Sequence, residues 1–171
     1  MDNRHYVSQC VLPAALTLLP SKMNAEGAAR LMLAIGLQES NLDHRAQVKG
    51  PARGFWQFEA GGGVRGVMTH QATASIIRET IKVMSYDPES HFSVHHQNLA
   101  HNDILAAVFA RLLLWTDPGP LPTEDDVEGS WQYYIDNWRP GKPHRDRWDA
   151  NFAEAILLTT PDRKVPRKRK T

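Results

Sequence analysis

The sequence predicts a mainly α-helical protein with a single domain. Apolar side chains recur at the three- and four-residue spacing of amphipathic helices in several segments, which proline or glycine separates. Two segments, residues 31–37 and 102–115, are so rich in apolar side chains that we expect them to be buried core helices. A chain of 171 residues, 42% of them hydrophobic, can build one sizeable core. We therefore expect one domain over residues 1–161.

Six segments are predicted to be helical. Asn24 is expected to cap the second helix, and Asn102 or Asp103 the fourth, because such side chains accept hydrogen bonds from free backbone N–H groups. Pro13 favours a break or a first turn within the first helix, since proline donates no backbone hydrogen bond. The predicted helices are residues 6–19, 25–40, 72–84, 102–115, 128–138 and 146–158.

Residues 41–68 are predicted to form a glycine-rich loop or a small hairpin. The segment contains six glycines and one proline, and it includes the run Gly61–Gly63. A flexible connection is the favoured interpretation of the triple glycine, and a hinge at the edge of a cleft is the alternative.

Four histidines lie close together in the polar stretch before residue 102: His91, His95, His96 and His101. This stretch has neither the HExxH pattern of a zinc site on a helix nor neighbouring cysteines. It is interpreted as a polar loop. The sequence predicts no metal and no cofactor.

Charge divides the chain into a mildly acidic body and a strongly basic tail. Residues 163–171 carry six basic side chains and no acidic one, whereas residues 1–162 hold 14 basic and 19 acidic groups, a net charge of −5. A run of like charges predicts a disordered tail over residues 162–171. Its charge allows binding to nucleic acid or to an anionic wall polymer, and a solubilising or partner-docking extension is the alternative.

Nothing in the sequence points to a membrane or to an oxidising compartment. Cys10 is the single cysteine, so no intramolecular disulfide can form. Residues 1–5 are polar and lack the basic start, apolar stretch and cleavage site of a signal peptide. The apolar stretches are far shorter than the roughly 20 residues that span a bilayer. We expect a soluble protein, made in the cytoplasm, without membrane insertion.

Glu39 is the strongest candidate for a catalytic side chain. It follows the apolar run 31–37, with only Gln38 between them. Burial against apolar neighbours and the negative end of the helix dipole both disfavour the ionised form, so both should raise its pKa. A carboxylic acid that stays protonated near neutral pH can donate a proton to a glycosidic oxygen. On the helix alone, a solvated glutamate at a fraying helix end is the commoner outcome.

Two short motifs favour a catalytic role for Glu39 over a solvated surface glutamate. Glu39-Ser40 ends the apolar helix, and Gly54-Phe55-Trp56-Gln57 begins 14 positions after Ser40. Their order and spacing resemble the soluble lytic transglycosylase family of the lysozyme-like superfamily, in which a Glu-Ser pair ends a core helix and a Gly-Leu-Met-Gln-like turn follows. The resemblance is good over residues 25–60 and looser elsewhere.

This resemblance implies a lysozyme-like helical domain that cleaves the MurNAc-GlcNAc glycan strand of bacterial peptidoglycan. It implies that Glu39 is the sole catalytic acid/base, that Ser40 orients Glu39 or the substrate, and that Gln57 lines the cleft. Lytic transglycosylases use the sugar's own 6-hydroxyl as nucleophile and leave 1,6-anhydro products. The third family motif, a Tyr-Asn-Ala-Gly-like turn, is altered here to residues 138–141, Trp-Arg-Pro-Gly, which lack the asparagine.

Aromatic side chains near the motifs are expected to bind sugar rings, because aromatic faces and loop backbone can hold a polymer. Core packing is the alternative for at least one of Phe55 and Phe58. The candidates in the loop are Gly54, Phe55, Trp56 and Phe58, and those later in the chain are Tyr133, Tyr134 and Trp138.

Glu59 and Asp43 are the candidates for a second carboxylate. A hydrolysing lysozyme often uses two carboxylates, about 5–9.5 Å apart, one as the acid and one as the base or nucleophile. Glu59 lies next to the turn that is predicted to line the cleft. A surface glutamate is nevertheless the favoured interpretation, which leaves Glu39 to act alone. A hydrolytic muramidase is the alternative.

Lysozyme-like domains that lack a signal peptide and an anchor resemble enzymes that bacteriophages carry in the virion or tail. The partners implied are peptidoglycan strands and phage tail or other virion proteins, and the implied place of action is the cell wall. Release as an endolysin is the alternative. A rival hypothesis is a structural virion or tail protein that keeps a lysozyme-like shape without turnover. A third hypothesis, a nucleic-acid-binding module, is supported by the basic tail only.

Overall fold

The structure is a computed structural model that describes residues 1–25 and 27–160, and this part of the chain is mainly helical, as the sequence predicts. It contains nine α-helices and no β-strand among the described residues. No helix in this part is both long enough and apolar enough to cross a membrane. The basic tail predicted over residues 162–171 lies outside the described residues.

The helices follow one another through mostly short connections. Helix α1 (Asn3–Tyr6) continues through a π-helical segment (Val7–Val11) into α2 (Leu12–Thr17), and a 3₁₀ turn (Ser21–Met23) leads to α3 (Ala28–Ser40). After a loop, a second π-helical segment (Ala60–Val64) continues into α4 (Arg65–Thr69), followed by α5 (Ala74–Val83) and α6 (Phe92–Asn98). The last three helices are α7 (Asp103–Trp115), α8 (Val127–Trp138) and α9 (Arg145–Thr159).

The core is built around α3 and α7, the two helices with nearly continuous apolar sequence. Every residue from Leu31 to Gln38 in α3 is buried, and so is every residue from Leu105 to Leu112 in α7. Helix α3 packs along α9 and also contacts α7, while α2 packs on α7. Because neighbours cover these helices on several sides, they need apolar side chains all round. The prediction that both are buried is confirmed.

Pro13 does not break the first helical region, because a π-helical segment precedes it. A proline in a regular helix leaves the carbonyl four residues before it without a partner. Here the N–H of Leu12 already bonds the Val7 carbonyl, the wider spacing of a π-helix, and Pro13 occupies the first turn of α2. The helical path therefore continues through the proline.

Residues 60–69 are helical, although the sequence predicts a loop there. Val64 and Val67 are fully buried, so packing of this apolar face stabilises a helical segment that its glycines disfavour. Gly62 has a non-helical backbone (φ −94°, ψ −105°), which marks a kink inside the segment. The loop is thereby limited to residues 41–59.

The polar loop predicted around the histidines is also wrong, because it contains α6. The side chain of His91 caps this helix by accepting from the Ser93 N–H. His95 and His96 are buried, and His96 Nε2 lies 2.8 Å from the Phe58 carbonyl oxygen. The contact of His96 with Phe58 joins α6 to the loop that precedes the second π-helical segment. Within the described part of the chain, no cluster of three or more His, Cys, Asp or Glu side chains is arranged to hold a metal ion.

The predicted caps agree with the structure in one case of two. Asn102 caps α7, since its Oδ1 accepts from the Leu105 N–H at 3.0 Å. Asn24 does not cap α3, which begins after Gly27 in the left-handed region at φ +87°. Helix α3 therefore starts three residues later than the sequence predicts.

Candidate active site

Glu39 lies one residue before the end of α3, where this helix meets α8. The hydroxyl of Tyr134 donates a hydrogen bond of 2.6 Å to Glu39 Oε1. Glu39 is partly buried, and Tyr134 is only 2% exposed. The carboxyl is therefore held in a defined position between two helices that lie far apart in sequence.

The surroundings of Glu39 favour its protonated form. Burial raises the pKa of Glu39 from 4.5 to about 7, and the hydrogen bond from Tyr134 opposes part of this rise. The predicted effect of burial is thus confirmed. Burial and the neighbouring carboxyl also raise the pKa of Tyr134, so its phenol remains a hydrogen-bond donor. Near neutral pH Glu39 is populated in both of its forms, which suits a group that must give and then take a proton.

An aromatic cluster on α8 and α9 positions Tyr134. Its ring stacks on Trp148, with centroids 5.0 Å apart and planes 12° apart. Trp131 contacts both rings, at 5.4 Å from Tyr134 and 5.6 Å from Trp148. Trp148 Nε1 donates to Ser130 Oγ at 3.1 Å, which fixes the central ring of the cluster. Trp131 and Trp148 were not identified from the sequence as part of the site. Their position inside two predicted helices was the feature of the sequence that could have indicated them.

Gln38 connects the end of α3 to α9 and to the segment before it. Its Nε2 donates to the His144 carbonyl at 2.9 Å, and its Oε1 accepts from Asn151 Nδ2 at 2.8 Å. The residue before Glu39 is therefore locked in place by two hydrogen bonds. A rigid helix end keeps the carboxyl in a constant position, as a catalytic group requires.

Ser40 joins the end of α3 to the second motif. Its Oγ donates to the Phe55 carbonyl at 2.7 Å and accepts from the Leu42 N–H at 3.1 Å. Ser40 is 9% exposed, so its hydroxyl is taken up by backbone groups. The Glu-Ser pair is thereby brought next to the turn that follows it in sequence.

The geometry of the Gly54–Gln57 turn depends on its first and last residues. Gly54 has φ +74°, and a Cβ there would lie 3.1 Å from Ala106 Cβ and 3.2 Å from the Leu99 carbonyl oxygen. Gln57 also has a positive φ of 49°, and its Nε2 donates to the Gly54 carbonyl at 2.8 Å. Gln57 therefore holds the turn closed while its side chain remains only half-buried.

The aromatic residues of this turn pack inward. Phe55 and Trp56 are 0% exposed, and Phe58 is 3% exposed. Trp56 Nε1 donates to the Met32 carbonyl of α3 at 2.8 Å. The expected contact of the Phe55 and Trp56 rings with sugar is therefore corrected, because neither ring reaches the surface. Core packing is confirmed for Phe55 and Phe58, and these rings attach the turn to the core.

Trp138 lies beside the same turn, at the end of α8. Its Nε1 donates to the Trp56 carbonyl at 3.0 Å, and the residue is half-buried. Tyr133 lies on another side of α8, where its hydroxyl donates to the Leu114 carbonyl of α7 at 2.9 Å. Burial and the charge of Asp117 raise the pKa of Tyr133 to about 12. The structure thus brings Trp138, but not Tyr133, to the turn.

Within residues 1–25 and 27–160, neither of the two candidates for a second carboxylate contacts Glu39. Glu59 is exposed, and its side chain makes no hydrogen bond or ion pair with the described residues. Asp43 is exposed as well, and it accepts from Asn41 Nδ2 at 2.7 Å. Of these three carboxyls, Glu39 is the one that is partly buried and bonded to a buried side chain, Tyr134.

Neither of two grooves on the surface of residues 1–25 and 27–160 has Glu39 in its lining. One has a volume of about 600 Å³ and lies between α2 and the end of α9. The other has a volume of about 590 Å³ and lies at the end of α8 and in the segment that follows it. This second groove is lined by Ile135, Asp136, Arg139, Pro140 and Pro143.

The chain matches no protein-family model, and neither a curated protein nor a solved structure is significantly similar to it. Its function is therefore inferred from the order of the two motifs and from the geometry around Glu39.

Proposed function

We propose that this protein cleaves the glycan strand of bacterial peptidoglycan, with Glu39 as its general acid/base. The main support is a single carboxyl of raised pKa at the end of a buried helix, hydrogen-bonded to Tyr134. A glycosidic oxygen leaves only when it receives a proton, and a carboxyl whose pKa is near neutral can supply one.

The proposed reaction uses Glu39 twice. The protonated carboxyl donates its proton to the glycosidic oxygen as the bond to the anomeric carbon breaks. The resulting carboxylate then accepts the proton of the sugar's 6-hydroxyl, whose oxygen attacks the anomeric carbon and closes a 1,6-anhydro ring. The hydrogen bond from Tyr134 stabilises the carboxylate between these two steps. Water is not consumed, so this is lytic transglycosylase chemistry.

Among the described residues, Tyr134 is the side chain that hydrogen-bonds Glu39, and neither Glu59 nor Asp43 contacts it, which supports this mechanism over hydrolysis. A hydrolytic muramidase needs a base or nucleophile on the other side of the sugar. Glu59 is exposed and makes no contact that would hold it there. We propose that it is a surface residue.

The biological setting is proposed from the motif resemblance. Glu39-Ser40 and the Gly54–Gln57 turn support a lysozyme-like protein. We propose that a bacteriophage encodes it. In that setting the protein is a virion-associated or lytic enzyme, it works at the cell wall of the host, and its partners are the glycan and tail or other virion proteins.

Digestion of purified peptidoglycan tests the proposed function. We expect the wild type to release products with 1,6-anhydro ends and Glu59→Gln to do the same at a similar rate. Products with reducing ends, together with a large loss of activity in Glu59→Gln, would indicate a two-carboxylate muramidase instead. A folded wild type that releases nothing would support a structural role in the virion.

A further inference from the structure

Three aromatic residues of α8 share one face of the helix beside Glu39. Trp131, Tyr134 and Trp138 follow one another at three- and four-residue spacing. With a rise of about 1.5 Å per residue, Trp131 lies about 4.5 Å before Tyr134 along the helix axis and Trp138 about 6 Å after it. Because the Tyr134 hydroxyl bonds Glu39 Oε1 at 2.6 Å, the two tryptophans lie on opposite sides of this contact along α8.

Burial distinguishes the central residue from the two that flank it. Tyr134 is 2% exposed, so its ring cannot form a surface for a ligand. Trp131 and Trp138 are half-buried. An aromatic ring that keeps part of its surface open can contact a ligand through that part.

Both tryptophans are held in place by the protein. The ring of Trp138 lies 5.6 Å from that of Phe58, and its Nε1 donates to a backbone carbonyl of the turn. The ring of Trp131 lies 5.6 Å from that of Trp148, and the Arg145 guanidinium lies 5.5 Å from its centre. Rings that are fixed before binding lose little conformational freedom when a ligand arrives.

We propose that Trp131 and Trp138 bind sugar rings on opposite sides of the linkage that Glu39 cleaves. This inference rests on the proposed function and adds the direction of the substrate, which runs along α8. The axial C–H groups of a pyranose form an apolar face that packs on an indole ring. The two tryptophans are seven residues, or about 10.5 Å, apart along the helix axis. In this placement the linkage to be cleaved lies between the two tryptophans, next to the carboxyl of Glu39.

The position of cleavage in a soluble, uncrosslinked glycan oligomer of defined length tests this placement. Trp131→Leu and Trp138→Leu each weaken binding on one side of the linkage, so they should shift cleavage toward opposite ends of an end-labelled oligomer. We expect the ratio of long to short labelled products to change about tenfold in each, as for the loss of one apolar ring contact. Trp115→Leu, a half-buried tryptophan at the end of α7, is the control and should leave the ratio unchanged.

This ratio is measured on molecules that turn over, so a fraction of unfolded variant does not alter it. Trp131→Phe and Trp138→Phe keep a ring and should give smaller shifts in the same directions. Shifts in one common direction, or no shift, with an active wild type would overturn the placement and leave the proposed function intact. A wild type that cleaves neither the oligomer nor the wall would overturn both.

Discussion

Replacing Glu39 by glutamine should remove a dependence of stability on pH. In the folded protein burial holds the pKa of Glu39 at about 7, compared with 4.5 for an unperturbed carboxyl. The folded protein therefore binds this proton more tightly than the unfolded chain does. As a result, the contribution of Glu39 to the stability of the wild type is fully present below pH 4.5 and is lost as the pH rises toward 7. Glutamine has nearly the same shape but never ionises.

The size of the effect follows from the two pKa values. One pH unit corresponds to about 1.4 kcal/mol, so the change from 4.5 to about 7 corresponds to about 3 kcal/mol between the protonated and the ionised carboxyl. Most of this change, about 2 to 3 kcal/mol, falls between about pH 5 and about pH 8. The free energy of unfolding of Glu39→Gln should therefore rise by this amount relative to the wild type across that interval.

Urea unfolding, followed by tryptophan fluorescence at several pH values, measures this difference. The slope of the free energy of unfolding against urea concentration should be the same in both proteins. An equal slope shows that both expose the same surface on unfolding. Glu79→Gln, an exposed glutamate of α5, is the control, and its difference from the wild type should vary by less than about 0.5 kcal/mol. A difference between Glu39→Gln and the wild type that stays constant with pH would refute burial of this carboxyl.

Four further changes have defined outcomes. Tyr134→Phe removes the hydrogen bond that opposes the rise in the pKa of Glu39. The pKa of Glu39 should therefore increase above about 7 by one or more pH units, which a carbon-13 titration of the carboxyl measures. An unchanged titration midpoint would contradict this role of Tyr134. Gly54→Ala should lower the free energy of unfolding by about 1–3 kcal/mol, because its φ is positive and its neighbours are close. Gly66→Ala in α4, where a Cβ meets nothing within 4 Å, should raise it by up to about 1 kcal/mol, and similar urea midpoints for the two would argue against the turn geometry. Removal of residues 163–171 should change the free energy of unfolding by less than about 0.5 kcal/mol, and a larger loss would show that the tail packs on the domain.

The main helices could be predicted from the sequence because their apolar pattern is strong. The segments 31–37 and 102–115 are buried helices in the structure, and their neighbours begin and end close to the predicted residues. Residues 60–69 and 92–98 could not be predicted in this way. Residues 60–69 contain several glycines and residues 92–98 are mostly polar, so neither composition predicts a helix. The side chains that tertiary packing buries there, such as Val64 and His96, could not be recognised from the sequence.

The candidate site could be predicted only in part. Glu39 could be identified because the apolar run before it already implies burial and a raised pKa. Its contact with Tyr134 spans 95 positions in sequence and depends on how α8 packs, with Trp148 behind the phenol. The inward direction of Phe55 and Trp56 likewise depends on the backbone of the turn, which motif spacing does not reveal.

Mass spectrometry of peptidoglycan treated with the wild type and with Glu39→Gln decides the role of this residue. Circular dichroism of both proteins shows that the fold is retained. The wild type should release muropeptides with 1,6-anhydro ends, and the folded variant should release them about 10²–10⁴ times more slowly, since the substitution removes the transferable proton. Release at the wild-type rate by folded Glu39→Gln would contradict the assignment of Glu39 as the catalytic acid/base.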